Sequence, residues 1–139
     1  MDEKFRLISK GRLMAYLDDS VVLEPPCYAD KMYEIFDSYV HTGYSKNKET
    51  PVEKLKNDFP YIDQEDLLKL IDYLKMARDY CISVCCAFAG IYDSVGVPTS
   101  EEAQKDKELV IKACLKRYPW LKSNYVEGLL PGVCAMCNR

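Results

Sequence analysis

The feature that most constrains the fold is a long apolar stripe between residues 63 and 92. Its members recur at three- and four-residue steps, the spacing of one helix face: Leu67, Leu70, Leu74, Ala77, Cys81, Val84, Phe88 and Ile91. Asp63 is suited to cap this helix, because Glu65 and Asp66 then lie in the first turn, where the helix dipole favours negative charge. From Cys81 onward apolar residues occupy nearly every face. We therefore predict a long central helix with other helices packed around it.

Helical spacing of apolar residues also runs through most of the rest of the chain. The other helices are expected at residues 2–17, 28–40, 50–57, 99–117 and 123–130. Thr50-Pro51-Val52-Glu53 has the spacing of a capping box with Pro at the first helical position, and Pro131-Gly132 is expected to end the last helix. We therefore predict an all-α fold, a compact bundle of about five to six helices. A single domain is expected to span residues 1–139.

Two segments of the chain share one pattern, Phe59-Pro60-Tyr61-Ile62 and Tyr118-Pro119-Trp120-Leu121. A predicted helix precedes each segment, and a capped helix with a Leu-Leu pair follows it. Proline disfavours the helical conformation of the residue before it, so each aromatic residue is expected to end a helix. The aromatic ring then fills the angle between the two helices. The pattern predicts two related helix-corner-helix units.

Charge is balanced along the chain, with 19 basic and 22 acidic residues and a pI near 5.2. Because no basic block supplies a phosphate-binding footprint, nucleic acid is not expected as a partner. Residues 1–17 mix charged with apolar side chains and do not read as a secretory signal. The longest nearly uncharged stretch, Tyr80 to Tyr92, is far shorter than the roughly 20 residues that span a bilayer. We expect a cytoplasmic protein with no membrane partner.

The chain contains a single histidine, His41, which excludes any metal or catalytic site that needs two imidazoles. Its place near the end of the second predicted helix favours a capping role, because a cation there complements the helix dipole. Neither a glycine-rich phosphate loop nor a Gly-x-Ser-x-Gly elbow occurs. The sequence therefore predicts a protein that is not an enzyme.

Seven cysteines are present, and in a reducing compartment most are expected to serve as small buried apolar residues. Cys134-Ala-Met-Cys137 is the one segment with the spacing of metal ligands. Cys81 and Cys85 are four residues apart and share a helix face, so a four-thiolate zinc site built from all four is geometrically conceivable. The alternative hypothesis is therefore a thiol-based metal-binding or redox-sensing helical bundle. The leading hypothesis involves no cofactor.

Eleven tyrosines are a further feature, because tyrosine is enriched at protein interfaces. Around the second predicted helix, the sequence indicates an acidic, aromatic patch for a basic partner: Tyr33, Tyr44, Asp30, Glu34 and Asp37. The leading hypothesis is a small cytoplasmic protein that binds another protein without catalysis. Immunity-like proteins, adaptors and inhibitors are of this kind.

Overall fold

The computed structural model describes residues 3–41, 50–92 and 100–137, apart from the side chains of residues 3, 5 and 137. Within these ranges the chain is helical, with no strand, and the predicted all-α class is confirmed. The helices are α1 (Glu3–Asp19), α2 (Met32–Val40), α3 (Pro51–Asp58), α4 (Gln64–Ile91), α5 (Glu101–Arg117) and α6 (Ser123–Cys137). A 3₁₀ turn, Ala29–Lys31, directly precedes α2.

The long predicted helix is α4, which has 28 residues. The Asp63 carboxylate caps it by accepting a hydrogen bond from the Asp66 backbone N–H at 2.9 Å. Every residue of the predicted apolar stripe is buried, from Leu67 to Ile91. Burial of each large side chain in such a stripe contributes roughly 1.5–3 kcal/mol to the free energy of unfolding. The apolar spacing therefore predicts the buried face of α4 well.

The chain divides into two compact units, and α4 contributes to both. One unit combines Met1–Leu23 with Asp79–Arg139, and the other is Glu24–Arg78. In the first unit α1 and α6 both pack against α5. The expectation of a single domain remains a prediction.

In the second unit α2 packs against α3, and their buried residues include Met32, Ile35, Phe36 and Leu55. The predicted capping box of α3 is confirmed. The Thr50 hydroxyl accepts from the Glu53 backbone N–H at 3.3 Å, and the Glu53 carboxylate accepts from the Thr50 backbone N–H at 3.2 Å. The two hydrogen bonds satisfy donors that would otherwise be orphaned at the helix start.

The repeated aromatic-proline corner is also confirmed, once in each unit. At both corners the aromatic residue before proline closes the preceding helix, and a second bond closes the turn after it. The N–H to C=O hydrogen bonds are Phe59 to Leu55 (2.8 Å) and Ile62 to Phe59 (3.1 Å), and likewise Tyr118 to Cys114 (3.0 Å) and Leu121 to Tyr118 (2.9 Å). The backbone angles agree, with φ −134° and ψ 68° at Phe59 and φ −124° and ψ 78° at Tyr118.

Two predicted helix ends are wrong. The second helix does not begin at Tyr28, because this residue has a left-handed backbone and a 3₁₀ turn intervenes before Met32. The last helix does not end at Pro131-Gly132 but continues to Cys137. Pro131 is exposed, so its disrupted backbone bonding lies on the solvent side. On the opposite side the buried stripe continues through Val126, Leu130, Val133 and Cys134.

Candidate functional site

The predicted acidic patch lies on the surface of α2 and the 3₁₀ turn before it. Asp30, Glu34 and Asp37 are exposed and Tyr33 is half-buried, and their spacing places them along one side of the helix. Within the described residues, Asp30 and Glu34 form no hydrogen bond or ion pair. Tyr44, the fifth member of the predicted patch, lies outside the described residues.

His41 directly follows α2, and its side chain forms a hydrogen bond with the last turn of that helix. Its Nδ1 donates to the Asp37 backbone carbonyl at 2.6 Å and lies 3.6 Å from the Asp37 carboxylate. A ring nitrogen that satisfies a carbonyl of the last turn is a helix cap. The predicted capping role of His41 is therefore confirmed.

An aromatic pair that the sequence patch did not include lies beside the start of α2. The rings of Tyr28 and Tyr61 meet edge to face, with centroids 5.7 Å apart and planes at 63°. Tyr61, in the first aromatic-proline corner, is 50% exposed. Tyr28 has φ 53° and ψ 41°, the only positive φ of a non-glycine residue in the described ranges. Tyrosine is disfavoured there because its Cβ crowds the following carbonyl oxygen.

Two carboxylates, those of Asp63 and Asp66, influence this pair electrostatically. Partial burial raises the pKa of the Tyr28 hydroxyl, and the negative charges of Asp66 and Asp63 raise it further. Burial and the same two carboxylates raise the pKa of the neighbouring Cys27 thiol, while Lys69 opposes them. Asp63 and Asp66 therefore act electrostatically on both Cys27 and Tyr28.

The Tyr61 ring already interacts with a cation. The Lys31 Nζ lies 4.8 Å from the ring centroid, within the range of a cation–π interaction. Lys31 follows Asp30 in the 3₁₀ turn and directly precedes α2, so its contact with Tyr61 connects the tyrosine pair with the segment that carries the acidic residues. We call the combined region the acidic-aromatic surface; it consists of Tyr28, Asp30, Tyr33, Glu34, Asp37, Tyr61, Asp63 and Asp66.

The cysteines of the predicted thiolate site lie in the first unit. Cys81, Cys85 and Cys134 are buried, and the side chain of Cys137 lies outside the described residues. A hydrogen bond with Cys81, followed by burial, raises the pKa of the Cys114 thiol, which favours the neutral form. Among the described side chains, no group of three or more His, Cys, Asp or Glu residues could hold a metal ion. The four-thiolate site remains a prediction.

Asp106 of α5 is a buried acid that sequence reasoning missed. It is 2% exposed and accepts hydrogen bonds from Lys10 and from the Tyr92 hydroxyl. Burial, followed by this bond, raises the pKa of Tyr92. Helical spacing could have predicted the burial of Asp106, because it lies three residues after the buried Ala103 and four before the buried Val110.

The comparisons with known proteins are negative, since no family model, no curated protein and no solved structure matches this chain. Within residues 3–41, 50–92 and 100–137, none of the helices combines the length and the apolarity needed to cross a membrane.

Proposed function

We propose that this chain is a non-enzymatic protein-binding protein that engages a basic partner through the acidic-aromatic surface. The observation that carries the proposal is the pairing of Tyr28, in a left-handed backbone, with the half-exposed Tyr61. Residues held in disfavoured backbone regions concentrate at functional sites, where the surroundings maintain the strain.

The chemistry of the surface suits lysine or arginine side chains. Tyr61 presents an aromatic ring that attracts cations, and because the Lys31 ammonium group already lies 4.8 Å from its centroid, a partner's cation would displace Lys31 from this ring. Asp30 and Glu34 are exposed on the neighbouring helix face, and Asp63 is exposed at the start of α4. Complementary charge of this kind mainly speeds association and selects the partner.

The overall charge supports a protein partner rather than nucleic acid, because acidic residues outnumber basic ones, 22 to 19. The proposal places the protein in the cytoplasm, where a chain with seven cysteines keeps its thiols reduced. Immunity-like proteins, adaptors and inhibitors act in this way, through a surface and without catalysis.

The first experiment is an NMR titration with a hexa-arginine peptide, with a hexa-glutamate peptide as the charge-reversed control. We expect amide shifts concentrated at Tyr28, Tyr61 and Asp63. Tyr61→Leu keeps apolar bulk but removes the cation-binding ring, and should weaken binding about two- to fivefold, the value of an exposed cation–π interaction.

The matched control is the double variant Glu108→Gln/Glu127→Gln. It removes two exposed carboxylates from the other unit that, like Asp30 and Glu34, form no ion pair with a described residue. Affinity for hexa-arginine should not change in this variant. Asp30→Asn/Glu34→Gln, which removes two exposed carboxylates of the acidic-aromatic surface, should weaken binding of hexa-arginine. An equal loss in the control variant would mean that only net charge matters, and would contradict the proposal.

The second experiment identifies the natural partner. A photo-crosslinking phenylalanine derivative is placed at Tyr61, or at the exposed Lys112 of α5 as a control, in cells of the source organism. We expect a crosslink to a basic protein from position 61 alone, lost when Asp30→Asn and Glu34→Gln are added. Equal crosslinking from both positions would contradict a specific surface.

A further inference from the structure

A second candidate site is a cavity of about 370 Å³ in the first unit. It is lined by Arg12, Ala15, Tyr16 and Asp19 of α1, together with Tyr80 of α4 and Arg117 of α5. Its volume lies within the range of about 300–1,000 Å³ that is usual for small-molecule sites. All lining residues belong to one unit.

Arg117 is the residue that points to a ligand. Its Nε atom is buried and has no hydrogen-bond partner within the described residues. The guanidinium group lies over the Tyr80 ring, 4.6 Å from the centroid, and forms no ion pair with a described carboxylate. A buried cationic donor without an acceptor is costly in a folded protein, and an anionic oxygen is its natural complement.

The side of the cavity next to Arg117 is formed by Tyr16, Ser20 and Tyr80, which are held in place by hydrogen bonds with one another. The Ser20 and Tyr80 hydroxyls contact each other, and both donate to the Tyr16 backbone carbonyl. The Tyr80 ring also meets the Tyr16 and Tyr118 rings edge to face, at 5.6 and 5.8 Å between centroids. Because these hydroxyls are satisfied among themselves, they form a fixed aromatic wall beside the Arg117 guanidinium group.

The charges around the cavity favour a small anion. Arg12 and Arg117 contribute two positive charges and Asp19 one negative charge, which leaves an excess of one positive charge. Ala15 and Tyr16 add apolar surface beside them. We propose that this cavity binds a small organic anion whose carboxylate or phosphate oxygen accepts a hydrogen bond from Arg117 Nε–H, with its apolar body against Ala15 and Tyr16.

The test follows the arginine Nε–H resonances of the full chain by NMR during titration with benzoate and, separately, phenyl phosphate. Sodium chloride at matched ionic strength is the control. We expect the Arg117 signal to shift and saturate with at least one organic anion and not with chloride. The probe with the higher affinity shows whether the cavity prefers a carboxylate or a phosphate. Shifts that stay linear with both probes, or that chloride reproduces, would overturn the proposal.

Two variants locate the binding. Arg117→Lys keeps the charge but lacks the Nε donor, and should weaken the tighter probe at least about tenfold. Its matched control is Arg78→Lys, because Arg78 also lies over a tyrosine, 5.4 Å from the Tyr39 ring, but in the other unit. Affinity should be unchanged in this control, and an equal loss in both variants would refute the assignment.

A third variant makes the test independent of Arg117. Ala15 is exposed on α1, so Ala15→Phe adds bulk to the cavity wall without disturbing the core. Binding of the tighter probe should fall at least about tenfold while thermal unfolding stays unchanged. Unaltered affinity in Ala15→Phe would show that the anion binds elsewhere.

Discussion

Lys10 of α1 and Asp106 of α5 form an ion pair whose carboxylate is almost completely buried. The side chain of Asp106 is 3% exposed and that of Lys10 is 37% exposed. One turn before Asp106 on α5, the pair between Arg6 and Glu102 at 2.9 Å joins the same two helices, but Glu102 is 61% exposed. The two pairs thus allow buried and exposed charge to be compared at one interface.

The first prediction is that the two pairs contribute unequally to stability. Asp106→Asn should lower the free energy of unfolding by about 2 kcal/mol, because Lys10 loses its carboxylate in a partly buried place. Glu102→Gln should lower it by less than about 1 kcal/mol, because water already screens that pair. Urea denaturation at pH 7 measures both changes, and equal values would mean that burial of Asp106 is energetically unimportant.

The second prediction concerns alkaline pH and Cys114. Its pKa is raised in the folded state, so folding is favoured fully below the ordinary thiol pKa and less as pH rises above it. Above about pH 9, stability should fall by up to about 1.4 kcal/mol per pH unit for this thiol alone. The fall arises because only the unfolded chain releases the proton.

Cys114→Val isolates this effect, since valine fills a similar volume and cannot ionise. Stability of the variant at pH 7 should stay within about 1.5 kcal/mol of the native chain. Between pH 9 and 10.5 its decline should be shallower. Parallel pH curves for the two proteins would disprove the role of Cys114.

Much of the fold was predictable because the relevant signals are local. The stripe of α4, the capping box at Thr50 and the two aromatic-proline corners each depend on residues within a few positions of one another. The predicted end of α6 at Pro131-Gly132 is wrong, because a proline affects only the backbone bonds next to it. The apolar spacing from Val126 to Cys134 shows that packing of the buried face outweighs the local break.

The candidate site was predicted only in part. Helical spacing predicts exposed acidic residues along one side of α2 and of the 3₁₀ turn before it, so Asp30, Glu34 and Asp37 could be placed. The pairing of Tyr28 with Tyr61 joins residues far apart in sequence, and no local pattern encodes it. The left-handed backbone of Tyr28 was equally hidden, since glycine or asparagine normally marks such a position.

The third prediction separates strain from stability at Tyr28. Glycine adopts φ 53° without penalty, so Tyr28→Gly relieves the backbone while removing the ring contact with Tyr61. We expect the thermal midpoint to change by no more than about 3 °C in either direction. Binding of hexa-arginine should weaken as in Tyr61→Leu or more strongly. A large loss of thermal stability would show instead that Tyr28 serves the fold rather than a partner.

The last prediction concerns the continuation of α6 through Pro131. Proline inside a helix costs about 3 kcal/mol relative to alanine, partly offset because it also restricts the unfolded chain. Pro131 is exposed, so no packing compensates for it, and Pro131→Ala should raise the free energy of unfolding by about 1–2 kcal/mol. Pro119→Ala is the matched control at the second corner. It should lower stability by about 0.5–1 kcal/mol, because proline there restricts the unfolded chain without breaking a helix.

Denaturant unfolding measures both changes, and Cα chemical shifts after Pro131 test the helix directly. Loss of stability in Pro131→Ala, together with non-helical shifts, would mean that the helix ends at Pro131, as the local sequence signal indicates.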